Sequence, residues 1–122
     1  MLLNEGRVTF MLNVHSQYAR FFDESCEKWT KDREINISFL KTLQTRCNDL
    51  LKYRGYLFLS DVYEKLGIPI TEESCIVGWM FEEPNEIGDN FVQFIYDETD
   101  ESACILIDFN VDGDIFGRLI NL

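Results

Sequence analysis

Ile76-Val77-Gly78-Trp79-Met80-Phe81 is where the hydrophobic period of this chain changes. Upstream, apolar residues recur every three or four positions. From Ile76 onward they alternate or cluster in short β-rich blocks parted by Gly, Pro, Asp and Asn. The blocks are 76–81, 91–96, 103–110 and 114–120, and their spacing predicts an antiparallel β-meander of about four strands. Both parities of 76–81 are apolar, so this strand is expected to be covered on both sides. Helices supply one cover and a partner or a second copy the other, which makes Trp79 and Phe81 candidate interface residues. Asp112-Gly113 signals a hairpin. A three-residue loop, 111–113, keeps Ile105, Ile107 and Phe109 on the same face as Ile115, Gly117 and Leu119, whereas a slip of one residue would turn the apolar set outward.

Working back toward the start, residues 7–30 read as an amphipathic helix, with Val8, Met11, Leu12, His15, Tyr18, Ala19, Phe22, Cys26 and Trp29 on one stripe. Residues 31–36 interrupt the pattern. A second helix is predicted over 38–53, capped by Asn36 or Ser38 and ended by Gly55 after Lys52 and Arg54. The two would form an antiparallel helical hairpin. A third, short helix follows Ser60 and stops at Gly67-Ile68-Pro69, and Thr71 can cap one further turn. The fold class is therefore α+β: one domain over 1–122, with a helical hairpin in 1–54, a short helix and connection in 55–75, and the sheet in 76–122.

At 122 residues and 46% hydrophobic, with ten Phe, the chain can bury a sizeable core. Its formal charge of −11 is unevenly placed. Residues 1–60 hold nine Lys/Arg against seven Asp/Glu, and residues 61–122 hold two against fifteen. Between Leu66 and Gly117 there is no Lys, Arg or His, but there are thirteen carboxylates. A sheet fringed by uncompensated acid repels nucleic acid and anionic membranes and attracts a basic protein. The predicted partner-binding residues are Glu82, Glu83, Glu86, Asp89, Asp97, Glu98, Asp100, Glu101, Asp112 and Asp114.

Nothing points to catalysis. The carboxylate pairs Glu82/Glu83 and Asp97/Glu98 fall in loops, where solvent keeps their pKa values together, and His15 lies far from them in sequence. No phosphate cradle and no membrane span or secretory signal is present, and no cofactor is called for. Asp108, Asn110, Asp112 and Asp114 alternate as in the first half of an EF-hand, but the twelfth position is Leu119, so the stretch reads as a turn without metal. Cys26, Cys47, Cys75 and Cys104 form no CxxC pair, and one His cannot complete a zinc site. They read as reduced, buried small hydrophobes of a cytoplasmic protein.

Gly55-Tyr-Leu-Phe-Leu-Ser-Asp-Val-Tyr-Glu-Lys-Leu-Gly-Ile-Pro69, Val77-Gly-Trp-Met-Phe81, Gly88-Asp-Asn-Phe-Val92 and Ile105-Leu-Ile-Asp-Phe-Asn-Val-Asp-Gly-Asp-Ile115 together resemble a family of small, uncharacterised proteins from phages, prophages and mobile elements of Gram-positive bacteria. The resemblance covers the last two-thirds of the chain and brings no functional residues with it. It implies a phage-derived protein in the host bacterial cytoplasm. The expectation is an accessory protein whose acid face binds a basic host protein, such as a CRISPR nuclease or another nucleic-acid-binding defence enzyme, in the manner of an anti-CRISPR or nucleic-acid mimic. The alternative is a self-associating structural or regulatory phage protein, a homodimer built on Trp79 and the apolar strand faces.

Overall fold

The computed structural model describes residues 15–120. In chain order they form β1 (Arg20–Phe22), α1 (Arg33–Arg54), β2 (Tyr56–Phe58), α2 (Leu59–Leu66), a 3-10 turn (Glu73–Cys75), β3 (Val77–Met80), β4 (Phe94–Ile95), β5 (Ile105–Phe109), β6 (Gly113–Asp114) and α3 (Phe116–Ile120). The class is α+β with antiparallel pairing throughout, divided between two three-stranded sheets ordered β1-β5-β4 and β2-β3-β6. Buried residues from both sheets, α1 and α2 meet in one core.

Helix α1 starts four residues before the predicted cap positions allow. Asp32 is its N-cap, accepting from Glu34 N–H and Ile35 N–H. Asn36 lies inside the helix and is fully buried, clamped to Thr30 and to the Ala103 carbonyl. Asn36, Leu40, Leu43, Cys47 and Leu51 step by four, three, four and four along the inner face. Gly55 and Gly67 end α1 and α2 at φ 87° and 79°, a left-handed conformation that a side chain disfavours. Thr71 caps the 3-10 turn, its hydroxyl accepting from Ser74 N–H.

The helical hairpin is corrected. Residues 7–14 of its first arm lie outside the described residues, and 15–30 are not helical. Instead, Phe21 is exposed and Phe22 buried on a strand, and Asp23 takes the Ser25 N–H and hydroxyl in a turn. Short polar side chains that capture nearby N–H groups compete with the helix, and here the strand partner β5 decides the outcome.

The meander is corrected too. Strand β5 pairs with β1 and β4, so the hairpin through Asp112-Gly113 does not form. The chain crosses at 110–112 into the other sheet, where Asp112 N–H bonds the Gly78 carbonyl and Gly113 and Asp114 pair with β3. The predicted last strand divides into β6 and α3, because Ile115 and Phe116 both donate to the Ile76 carbonyl and Asp114 accepts from Gly117 N–H. Gly78 is obligatory at the sheet's centre, since a Cβ there would stand 2.0 Å from the Leu57 carbonyl oxygen.

Trp79 is fully buried, its indole N–H donating to both the main-chain and side-chain oxygens of Asn110. It is core, which corrects its placement at an interface. Phe81 is half-buried against that core, and its N–H donates to the Gly55 carbonyl. All four cysteines are free, but only Cys26 and Cys47 are buried. Cys75 and Cys104 are exposed, correcting their reading as core residues. Burial pushes the Cys47 thiol up to about 11.

Candidate functional site

Strand β4 would present a free edge were it not for α1. Asn48 accepts from Val92 N–H (2.7 Å) and donates to the Val92 carbonyl (3.0 Å), and Gln44 accepts from Phe94 N–H (2.7 Å). On the opposite side Gln93 and the Phe91 carbonyl turn toward Asn110. This alternation of main-chain direction makes 91–95 extended, with Val92 and Phe94 inward and Phe91, Gln93 and Ile95 outward. The same line along α1 continues to Arg33, whose guanidinium donates to the carbonyls of Asp97 and Ser102.

An acidic loop leaves each end of this fastened segment. The first, 82–90, is built on two asparagines. Asn90 exchanges hydrogen bonds with the main chain of Glu82. Asn85 donates to the Met80 carbonyl and to Asn90, and accepts from Ile87 and Gly88 N–H. Glu83, Glu86 and Asp89 project from it exposed. The second, 97–102, opens with Asp97 accepting from Thr99 N–H and hydroxyl, and these two bonds hold its carboxyl below the usual carboxylate range. Glu98, Asp100 and Glu101 are exposed on it. Seven residues of extended chain, 91–97, span at most about 20 Å between the loops.

Asp97, part-buried with its carboxylate bonded to Thr99, is one of the ten predicted contacts, and the other nine divide. Glu83, Glu86, Asp89, Glu98, Asp100 and Glu101 are exposed, and neither of the two ion pairs among the described residues involves them. Glu82 is neutralised by Arg118, a cation placed one residue beyond the cation-free stretch. Asp114 is exposed but holds the start of α3. Asp112 is a correction. Its carboxylate is turned inward and half-buried, accepting from Met80 N–H at 2.9 Å, where it ties the crossing to β3. Burial raises its pKa, and Asp89 and Glu82 push it the same way. Gly88 packs against it so closely that a Cβ would lie 1.9 Å from its Oδ1.

The EF-hand-like side chains each serve a different hydrogen bond, although the hairpin turn expected of them does not form. Asp108 accepts from Ser16, Asn110 from Trp79 and Gln93, Asp112 from Met80, and Asp114 from Gly117. No cluster of metal-ligating side chains occurs among the described residues. His15 is exposed.

Sequence reasoning missed the residues that fix the acid in place: Asn85, Asn90, Asn110, Gln44 and Asn48. In a sequence such amides scan only as turn or surface residues. The exposed apolar side chains Phe21 and Ile95 were also missed, although the alternation of 91–95 carries a signal for the second.

The fold and these loops define a small acidic α+β domain in which amide side chains anchor the charged segments. The profile of a family of unknown function, DUF6353, matches residues 3–118, and the chain belongs to that family. No curated protein and no solved structure matches it.

Proposed function

We propose that this protein is a non-catalytic binding module of a phage or mobile element that occupies a cationic surface of a host protein. The target class is a nucleic-acid-binding defence enzyme, such as a CRISPR nuclease, whose cleft normally holds phosphates. The observation that carries this reading is the placement of six exposed carboxylates, none of them in an ion pair among the described residues, on two loops whose main chains are held by side-chain hydrogen bonds. Charge on an ordered loop loses less conformational entropy on docking than charge on a free tail, and a fixed spacing discriminates among basic surfaces. The phage setting draws on the resemblance in 55–115.

The test is a binding titration against purified basic nucleases at low and high salt, with and without competing duplex DNA. The expected result is salt-sensitive binding that DNA displaces and that Glu83→Lys/Glu86→Lys/Asp89→Lys abolishes with the fold intact. Binding that neither DNA nor charge reversal alters would reject the reading. Self-association is the second reading, favoured by exposed Ile76 and Phe116, which the Phe116 N–H to Ile76 carbonyl bond brings together at one end of β3. A salt-insensitive oligomer in sedimentation would support it.

A further inference from the structure

The β1-β5-β4 sheet packs one face on the core and, among the described residues, leaves most of the other exposed. Its register pairs Phe22 with Ile105, Arg20 with Ile107 and Phe94 with Phe109 on the inner side. On the outer side it pairs Phe21 with Leu106 and Ile95 with Asp108. Ser16 covers Asp108, bonding its carboxylate through both N–H and hydroxyl. Phe21 remains 57% exposed, Ile95 42% exposed, and Leu106 between them partly exposed. These three make a diagonal apolar row, one residue per strand, across two inter-strand spacings of about 4.8 Å each. No Lys or Arg stands among these outward residues. Acids follow in sequence at Asp23, two residues beyond Phe21, and Asp97, two beyond Ile95, and an acidic loop leaves each end of 91–97.

We propose that this face is the seat of a basic amphipathic helix belonging to the partner protein. The inference rests on the reading above, that the partner is cationic, and it names the element recognised. A helix shows apolar residues at i, i+4 and i+7 over about 10.5 Å, which matches the span of the diagonal row. Lysines or arginines flanking that stripe fall toward the loop carboxylates. A second copy of this chain is the poorer occupant, because it brings the same acids to the same rim and repels itself.

The probe is a fluorescein-labelled 18-residue Leu/Lys helical peptide, titrated by anisotropy against the full chain, with a scrambled peptide of the same composition as reference. The amphipathic peptide is expected to bind at least about tenfold tighter than the scrambled one, a ratio set by the buried apolar area of the row. Phe21→Ser/Ile95→Ser, both at exposed positions, should erase that ratio while leaving the thermal midpoint and the scrambled peptide's affinity unchanged. Equal binding of the two peptides, both weakened by reversal of the 82–90 acids, overturns the helix seat and leaves the acidic surface standing. Binding of neither peptide overturns both. A dimer of the chain that Phe21→Ser dissolves assigns the face to a second copy, and also overturns the proposal.

Discussion

Replacing Gly88 with Ala tests how the 82–90 loop is anchored. The three atoms nearest to an added Cβ all belong to the Asp112 carboxyl group, at 1.9, 2.2 and 2.5 Å. To make room, that carboxylate must leave Met80 N–H, which it accepts at 2.9 Å in a residue only 7% exposed. A lost charge-assisted hydrogen bond with a buried donor left unpaired costs about 2 kcal/mol. Asp112→Ala deletes the same bond but also removes a half-buried charge that Asp89 and Glu82 repel, so its cost is smaller, about 1 kcal/mol. In the Asp112→Ala background the Gly88 Cβ no longer meets the carboxylate, and Gly88→Ala should then cost less than about 0.5 kcal/mol. The coupling over the double-mutant cycle is therefore about 1.5–2 kcal/mol. Urea unfolding reads it directly: with a slope of about 1.5 kcal/mol per molar, Gly88→Ala alone lowers the midpoint by about 1.3 M. Equal costs of Gly88→Ala in the two backgrounds would refute the contact.

Two further expectations follow from the anchoring residues. Asn48→Ala leaves both main-chain polar groups of the fully buried Val92 without partners, so it should cost about 2–3 kcal/mol. It should also speed amide exchange at Val92; unchanged protection there means the amide does not hold the strand. The acid limb of the stability curve should answer to Asp97. Its folded pKa lies below the ordinary aspartate value of 3.8, so its contribution is present above that value and is lost as pH falls through the folded one. Asp112 works in the opposite sense. With a folded pKa above 3.8, its ionised form opposes folding, and that opposition is relieved as pH drops through the folded value. Thr99→Val removes the largest cause of the Asp97 shift and should flatten the loss of stability below pH 3.8, measured as urea midpoints. An unaltered slope would rule out the Thr99 contact as its source.

Local signals were legible wherever one element's own residues decide its conformation. The inner stripe of α1 and its stop at Gly55, the inward residues of α2 and its stop at Gly67, and the turn that Thr71 caps carry period or cap chemistry that needs no distant partner, whereas the starts of both helices were misplaced. The blocks around 77–80 and 105–109 were likewise readable as strands. What escaped is what the tertiary structure chooses between. Residues 15–30 carry a three-and-four spacing, yet Phe22 buries on a strand because β5 offers a ladder there. The pairing order escaped because alternation specifies a face and not a neighbour, and β5 found β1 and β4 instead of 114–120. Position 112 looked like one acid among many. Its inward turn depends on Gly78 and Met80, more than thirty residues earlier. Trp79 was read as a candidate interface residue because both parities of its strand are apolar and a second cover was expected from a partner. The second cover turned out to lie within the chain, with Asn110 supplying the partner for the indole N–H.

The amides of Gln44 and Asn48 have a consequence for how this protein behaves when crowded. Hydrogen-bonding groups on an outer strand are the template on which foreign chains stack into fibres, and most small sheets blunt them with charge or proline. Here the template is consumed by the protein's own helix, Val92 and Phe94 being already bonded. Loss of those two side chains would therefore be felt first as precipitation at high concentration.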